Sequence, residues 1–293
     1  MSEQHTEAFV AHRNLLFTVA YEMLGSAADA EDVLQETWLQ WIKIEFPSVR
    51  DPRAFLVRVT TRQALNRLRT MRRRKESYVG SWLPEPLLTA PDVAEDAELA
   101  ESVSIALMLV LETLSPTERA VFVLREAFAF GYDEIAAAVG KTPAAVRQIA
   151  HRARKHVDAR RPREAVTVAE TRAALESFRR ALETGDLQGM LDVLAPDVVL
   201  IADGGGVKQA VQRPIAGADK VARLMQGGFS RVADRMTMEP ATINGGFAMT
   251  TYLDGALDGV MTARVEGGRI VALYYVRNPD KLSRIGTETP LSR

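Results

Sequence analysis

Positive charge in this 293-residue chain is gathered into two stretches of helical periodicity, Arg50 to Lys75 and Lys141 to Arg163. Between them runs Tyr78 to Glu101, which holds neither lysine nor arginine. The first stretch carries Arg50, Arg53, Arg58, Arg62, Arg67, Arg69, Arg72, Arg73, Arg74 and Lys75 against a single acid, Asp51. On a helix Arg58 and Arg62, like Arg69 and Arg73, lie four apart, and each such pair costs roughly 0.2–0.5 kcal/mol. A polyanion relieves that repulsion, and nucleic acid is the polyanion whose counterions lysine and arginine displace. The net charge of -1 conceals the pattern, so charge by segment is the informative quantity.

Length favours about two domains, and 47% hydrophobic residues are enough to bury real cores. With no cysteine, disulfides, thiolate metal sites and cysteine nucleophiles are all removed, which fits a reducing compartment. The opening MSEQHTEAFVAHRNLLF lacks a charged-then-apolar secretory pattern, and no apolar run is long enough to span a bilayer. A soluble cytoplasmic protein without a membrane partner is expected.

Residues up to about Glu76 have helical spacing. Ala8, Leu15, Leu16, Val19, Ala20 and Met23 form one stripe, and Gly25 with Ser26 supplies a stop and a new cap. A second helix is predicted from Ala28 to Ile44, with Val33, Leu34, Thr37, Trp38, Trp41 and Ile42 inward and Asp29, Glu31, Asp32 and Glu36 loading its N-terminal half. Phe46, Pro47 and Ser48 break it. Asp51 and Pro52 then open the basic helix. From Tyr78 the acids and prolines read as a linker.

The sharpest motif follows. Ser115, Pro116 and Glu118 make a capping box, and GYDEIAAAVGKTPAAVRQIAHRARK then reads as two short helices about a turn at Gly140 and Lys141. Ile135, Ala136, Val139, Val146 and Ile149 or Ala150 can close a small core between them, the pattern of a helix-turn-helix. The second helix exposes Arg147, Gln148, His151 and Arg152 toward a major groove, with Arg154 and Lys155 placed for phosphates.

The remaining third changes period. Ala173 to Leu194 predicts two amphipathic helices; β-rich runs follow at Asp197–Ala202, Met236–Ile243, Phe247–Leu253, Val260–Val265 and Arg269–Val276, separated by Asn-Gly, Asp-Gly and Gly-Gly turns. An extra helix is predicted near Asp219 to Met225. This is an α+β unit with a curved antiparallel sheet.

DAEDVLQETWLQWIK followed by RDPRAFLVRVTTRQALNRLRTMRRRK resembles region 2 of an extracytoplasmic-function sigma factor. LSPTERAVFVLREAFAFGYDEIAAAVGKTPAAVRQIAHRARK resembles region 4, in the family's order and spacing. The last third resembles a SnoaL-like, NTF2-like cone. Trp82-Leu83-Pro84-Glu85-Pro86, Asp203-Gly204-Gly205-Gly206 and Asn278-Pro279-Asp280-Lys281-Leu282 resemble signatures of the ECF41 group, except that Val207 intervenes before Lys208.

The resemblance implies a multidomain chain: an all-α region 2 bundle (1–77), an acidic linker (78–101), an all-α region 4 helix-turn-helix (102–163) and an α+β regulatory cone (164–293). It implies a promoter-specificity subunit that binds the beta-prime and beta subunits of core RNA polymerase. Asp29, Asp32, Leu34, Gln35 and Trp38 would dock on the polymerase coiled coil. Phe46, Ser48, Arg50, Arg58, Arg62 and Asn66 would read and melt the minus-ten element, needing an aromatic face and positive charge for unstacked bases. Arg62 stands where many relatives carry Asn. Arg147, Gln148, His151, Arg152 and Arg154 would read the duplex minus-thirty-five element. Trp82, Leu83, Pro84, Asp203, Gly204, Gly205, Gly206, Lys208, Asn278, Pro279, Asp280 and Lys281 would form a regulatory contact between linker and extension, with Trp82 as anchor.

Two other classes compete. A stand-alone helix-turn-helix regulator with a ligand-sensing SnoaL-like domain leaves the acidic Trp helix unexplained. A cyclase-like enzyme needs a poised carboxylate or tyrosine, such as Asp203, Tyr274 or Tyr275, because His5, His12, His151 and His156 all precede the cone. No catalytic residue, metal site or cofactor is expected, and an unidentified small ligand in the cone is left open.

Overall fold

The computed structural model describes residues 3–160 and 166–293, except for the side chains of Arg72, Arg73, Arg74, Pro91 and Glu95. The cluster Arg72 to Arg74, and Arg161 and Arg163 of the second basic stretch, lie outside the described side chains or residues. The chain forms two compact units. One comprises residues 1–76, 96–161 and 290–293, the other residues 77–95 and 162–289. The stretch read as a linker is thus shared between them.

The first unit begins with α1 (Glu3–Leu24), α2 (Ala27–Trp41), a 3-10 turn (Phe46–Ser48) and α3 (Pro52–Glu76). Gly25, at φ +68°, ends α1, and Ser26 caps α2 by accepting the Asp29 N–H at 3.2 Å. Asp51 caps α3 through the Ala54 N–H at 3.0 Å. Leu16, Phe17, Val19, Met23, Val33, Trp41 and Leu56 are fully buried between the three helices. The Trp41 indole N–H donates to the His5 carbonyl at 2.9 Å, so its polar edge is satisfied inside the core. α2 stops at Trp41 rather than running to Ile44. The chain turns there, and the Phe46 ring packs edge-on against Trp41 and His5, with centroids 5.7 and 5.3 Å away.

Beyond the basic helix come α4 (Pro91–Glu95), which belongs to the second unit, and then, again in the first, α5 (Ala97–Ser102), α6 (Ile105–Leu111) and α7 (Pro116–Phe122), the last extended by a π turn (Val123–Ala127). The stretch Pro91–Ser102 is mostly helical although its composition reads as linker. Asp96 caps α5 at the Leu99 N–H, 3.0 Å away, and Leu99 and Val103 are buried. α8 (Tyr132–Val139) and α9 (Pro143–Asp158) follow. Gly140 at φ +67° closes α8, and Thr142 caps α9 at the Ala145 N–H, 3.2 Å. Ile135, Ala136 and Val146 are buried as their spacing predicts, Ile149 and Ala150 are both buried rather than one of them, and Val139 is only partly buried.

The second unit carries α10 (Val168–Thr184), α11 (Leu187–Val193), β1 (Leu194–Asp203), β2 (Ile215–Ala216), α12 (Ala218–Phe229), β3 (Met236–Ile243), β4 (Gly246–Leu253), β5 (Ala256–Glu266), β6 (Arg269–Val276) and α13 (Pro279–Leu282). The six strands form one sheet, ordered β2-β1-β6-β5-β4-β3. It is mixed rather than wholly antiparallel: β1 runs parallel to β6, with Leu200 beside Leu273. The path through β2 and α12 is long enough to bring the β3–β6 meander back alongside β1 in the same direction. Register shifts in β4–β5 and β5–β6 mark irregularities of the kind that bend a sheet. One face packs on the helices through Phe178, Leu182, Met190, Val221, Phe247, Met249, Met261 and Leu273. Asn244 and Gly245 both have positive φ, as do Asp254 and Gly255, giving the tight hairpin turns their dipeptides predict. Among the described residues no helix is long and apolar enough to cross a membrane.

Candidate nucleic-acid interface and linker clasp

On α9, Arg147, Gln148, His151 and Arg152 are all exposed and together line a groove of about 390 Å³. The amphipathic pattern puts Val146, Ile149, Ala150 and Ala153 inward, which leaves these four on one outer face. Three of them, Arg147, Gln148 and Arg152, carry forked or amide donors suited to base edges. Arg154 is held by Glu126, with Nη2 to Oε1 at 2.6 Å, so any phosphate it meets competes with a carboxylate.

The residues singled out on and before α3 have mixed surroundings. Ser48 and Arg50 are exposed. Phe46 is half-buried in the His5 and Trp41 aromatic cluster. The Arg58 guanidinium lies over the Phe55 ring at 5.0 Å, and its buried Nε has no partner. Arg62 Nη2 donates to the Ala137 carbonyl of α8 at 2.9 Å. Asn66 accepts from Arg69 at 3.1 Å.

On α2, Gln35 is exposed, Trp38 is half-buried edge-on to Phe9, and Leu34 is buried. Asp29 and Asp32 both engage Arg67 of α3, Asp29 at 2.7 Å from Nε. Their acidity therefore ties α2 to α3 as well as colouring the surface. Arg67 counts by sequence among the cations of the basic stretch; its pairing depends on a contact 38 residues away.

The densest polar cluster is in the second unit, around Asp203, which is 0% exposed. Its carboxylate accepts from the Tyr78 hydroxyl (2.6 Å), the Leu83 N–H (2.9 Å), the Gly205 N–H (3.0 Å) and Lys281 Nζ (2.7 Å). Lys281 Nζ also donates to the Leu83 carbonyl at 2.6 Å and lies over both the Trp82 and Tyr78 rings, 4.3 and 4.9 Å from their centroids. Asn278 donates to the Tyr78 oxygen at 2.8 Å and caps α13 at the Asp280 N–H, 3.1 Å. Burial, then the bond to Asp203, pushes the Tyr78 hydroxyl above its ordinary range, so it stays a donor.

The glycines are explained by space. A Cβ on Gly205, at φ +61°, would lie 2.4 Å from the Asn278 carboxamide, and one on Gly204 would lie 2.2 Å from the Lys208 carbonyl oxygen. Lys208 turns to Asp258 at 3.1 Å, a buried carboxylate shared with Arg277. Pro84 is buried, while Pro279 and Asp280 are exposed. Three segments far apart in sequence, WLPEP, DGGG and NPDKL, are thereby brought together in one unit.

Sequence reasoning missed two parts of this clasp. Tyr78 is one, because its partners lie 125 and 200 residues away and nothing local marks it. The other is a second grip on the β3–β4 turn: Leu87 N–H donates to Asn244 Oδ1 at 2.9 Å, Asn244 N–H to the Leu87 carbonyl at 2.9 Å, and Thr89 N–H to the Thr242 carbonyl at 3.0 Å. Asn244→Ala should cost about 1–3 kcal/mol in urea unfolding, because the buried Leu87 N–H loses its acceptor. Asn244→Asp, which keeps an oxygen, should cost less; equal losses for both would remove that hydrogen bond as the cause.

Known proteins resemble this chain in sequence and fold. Residues 8–74 match the model for Sigma-70 region 2, and residues 104–157 that for Sigma-70, region 4. The ECF RNA polymerase sigma factor SigJ of Mycobacterium tuberculosis is 36% identical over 292 residues, covering 94% of this chain and 92% of the relative. The probable ECF RNA polymerase sigma factor SigI of the same organism is 30% identical, covering 96% of each. The crystal structure of SigJ has a TM-score of 0.76 at 34% identity and covers 98% of this chain and all of that one.

Proposed function

The chain belongs to the extracytoplasmic-function RNA polymerase sigma factors, and we propose that its C-terminal unit regulates promoter-directed initiation by gripping the linker between regions 2 and 4. As a sigma factor it binds core RNA polymerase and directs promoter recognition. Within that role α9 reads the minus-thirty-five duplex through Arg147, Gln148, His151 and Arg152, with Arg154 on the backbone. Phe46, Ser48, Arg50, Arg58, Arg62 and Asn66 serve the melted minus-ten strand. The exposed side of α2 meets the beta-prime subunit, and the chain works in the compartment that holds polymerase and DNA. The observation that carries the regulatory part is the Asp203 hub, which holds Tyr78, Leu83 and Lys281 at once.

Several features support a regulatory rather than catalytic extension. Asp203 is committed to the clasp, and Tyr275 is pushed up to about 12, chiefly by burial, while its hydroxyl contacts Thr251 and Asp258. Burial also raises Tyr274. Neither tyrosine is then ready to lose a proton near neutrality.

Run-off transcription tests the reading. Purified chain added to core polymerase should initiate at a specific subset of a genomic template library. Binding to duplex without polymerase, and no initiation on any template, would favour the stand-alone helix-turn-helix regulator instead.

A further inference from the structure

Two arginines cross between the promoter-reading modules of the first unit, and each caps a helix with no basic residue in its own last turn. Arg119 of α7 donates from Nε and Nη2 to the Glu22 carbonyl near the C-terminal end of α1, at 3.1 and 2.8 Å. Arg62 of α3 donates to the Ala137 carbonyl near the end of α8, at 2.9 Å. The negative end of a helix favours a guanidinium, so the two modules satisfy each other reciprocally.

An ionic chain, half-buried apart from its buried arginine, adds a third link. Arg119, 2% exposed, pairs through Nη1 with Glu112, whose other oxygen takes Lys75 Nζ of α3 at 2.6 Å. Beside it the Glu22 carboxyl, 1% exposed, accepts from Ser102 at 2.7 Å. The Arg53 guanidinium also lies 4.7 Å over the Phe130 ring. Apart from the Arg119–Glu112 pair, which lies between α6 and α7, each of these contacts joins the α1–α3 module to α5 through α8.

We infer that these contacts form a latch: in the closed unit the module of α5 through α8 engages Arg53, Arg62 and Lys75 of α3, and capture of a melted promoter strand requires the latch to open. The inference rests on reading α3 as the strand-binding helix. Arg62 cannot cap α8 and hold a phosphate at the same time. Arg58 Nε is buried without a hydrogen-bond partner in the closed form.

Glu22 makes the latch pH-sensitive. Burial pushes its carboxyl up to about 8, against the opposing effects of the Ser102 bond and the Arg119 charge. Ser102 on α5, Arg119 on α7, Glu112 after α6 and Lys75 on α3 are the polar and charged groups of this cluster. An acid whose closed-state pKa is raised favours closure at low pH, and that contribution is lost as pH rises toward the raised value. The open state, with Glu22 in water, gains on the alkaline side.

Because the chain has no cysteine, Gln40→Cys with Asp133→Cys gives two unique spin labels on α2 and α8 of the full-length protein. Electron–electron distances should be short and narrow at about pH 6.5 and gain a longer component at about pH 8.5. Arg119→Ala should show the longer component at both, and should bind a single-stranded minus-ten oligonucleotide at least tenfold tighter as closed molecules are released. Glu22→Gln should stay closed at both, with all four histidines still present as the control. If Arg119→Ala fails to fold by circular dichroism, Glu112→Gln carries the same expectation. Unchanged distances in these variants, or opening with no gain in measurable strand affinity, overturns the latch. No strand binding by any variant, even with polymerase, instead overturns the reading of α3, while the distances still decide the latch.

Discussion

Asp203→Ala is expected to free the linker from the C-terminal unit and to change promoter-directed transcription without unfolding α8 or α9. The carboxylate is wholly buried and is the shared acceptor of a phenol, two main-chain N–H groups and an ammonium. Its loss leaves Lys281, whose side chain is 12% exposed, as an uncompensated buried cation. Breaking one side of such a pair typically costs about 3–5 kcal/mol. Amide exchange at Leu83 and Leu87 should accelerate, whereas amides in the core of α9 should keep their protection. Trp82→Ala, which removes only one ring from above the ammonium, should have a smaller effect in the same direction. Wild-type exchange at Leu83 in Asp203→Ala would remove the carboxylate as the linker's anchor, and unchanged transcription would separate the clasp from regulation.

Arg147→Ala should weaken specific promoter binding by about 1–3 kcal/mol, roughly 5- to 150-fold, and relax preference at one base pair. The side chain is exposed on the outward face of α9, its guanidinium 5.8 Å from the Tyr132 ring, so its removal leaves the α8–α9 core intact. Arg154→Ala should behave differently. Its loss should weaken binding evenly across sequences and reduce the salt slope by at most about 1, because Glu126 already neutralises part of its charge. Electrophoretic titrations of a randomised minus-thirty-five element at several salt concentrations distinguish the two. Equal relaxation of sequence preference by both substitutions would assign neither to base readout.

Much of the architecture is legible because local signals are strong and mutually consistent. The Ser115–Glu118 capping box, the left-handed Gly140 and the Thr142 cap occur where their residue types require. The β-rich runs after Asp197 map onto β1 and β3 to β6 because alternation and Asn-Gly or Asp-Gly turns set their register. The parallel pairing of β1 with β6 was not legible, since it depends on how a crossover returns the chain rather than on either strand's pattern. The helices Pro91–Glu95 and Ala97–Ser102 were masked by an acid- and proline-rich composition that also suits a tether.

Side-chain roles divide along the same line. Exposure of Arg147, Gln148, His151 and Arg152 follows from a period of 3.6 residues, a property of α9 alone. Whether Arg62 and Arg67 face solvent or protein does not, because Arg62 finds its acceptor 75 residues away and Arg67 its acids 38 and 35 away. The three short motifs around Trp82, Asp203 and Asn278 were visible separately, but their convergence on one carboxylate was not.

Periodicity, caps and turn residues thus determined the helices, most strands and the outward face of α9, since each depends on neighbours a few residues away. Tertiary structure alone decided which charges pair, which arginines cap a foreign helix and which groups meet at Asp203. Those outcomes depend on desolvation and on distances between segments that no local pattern encodes.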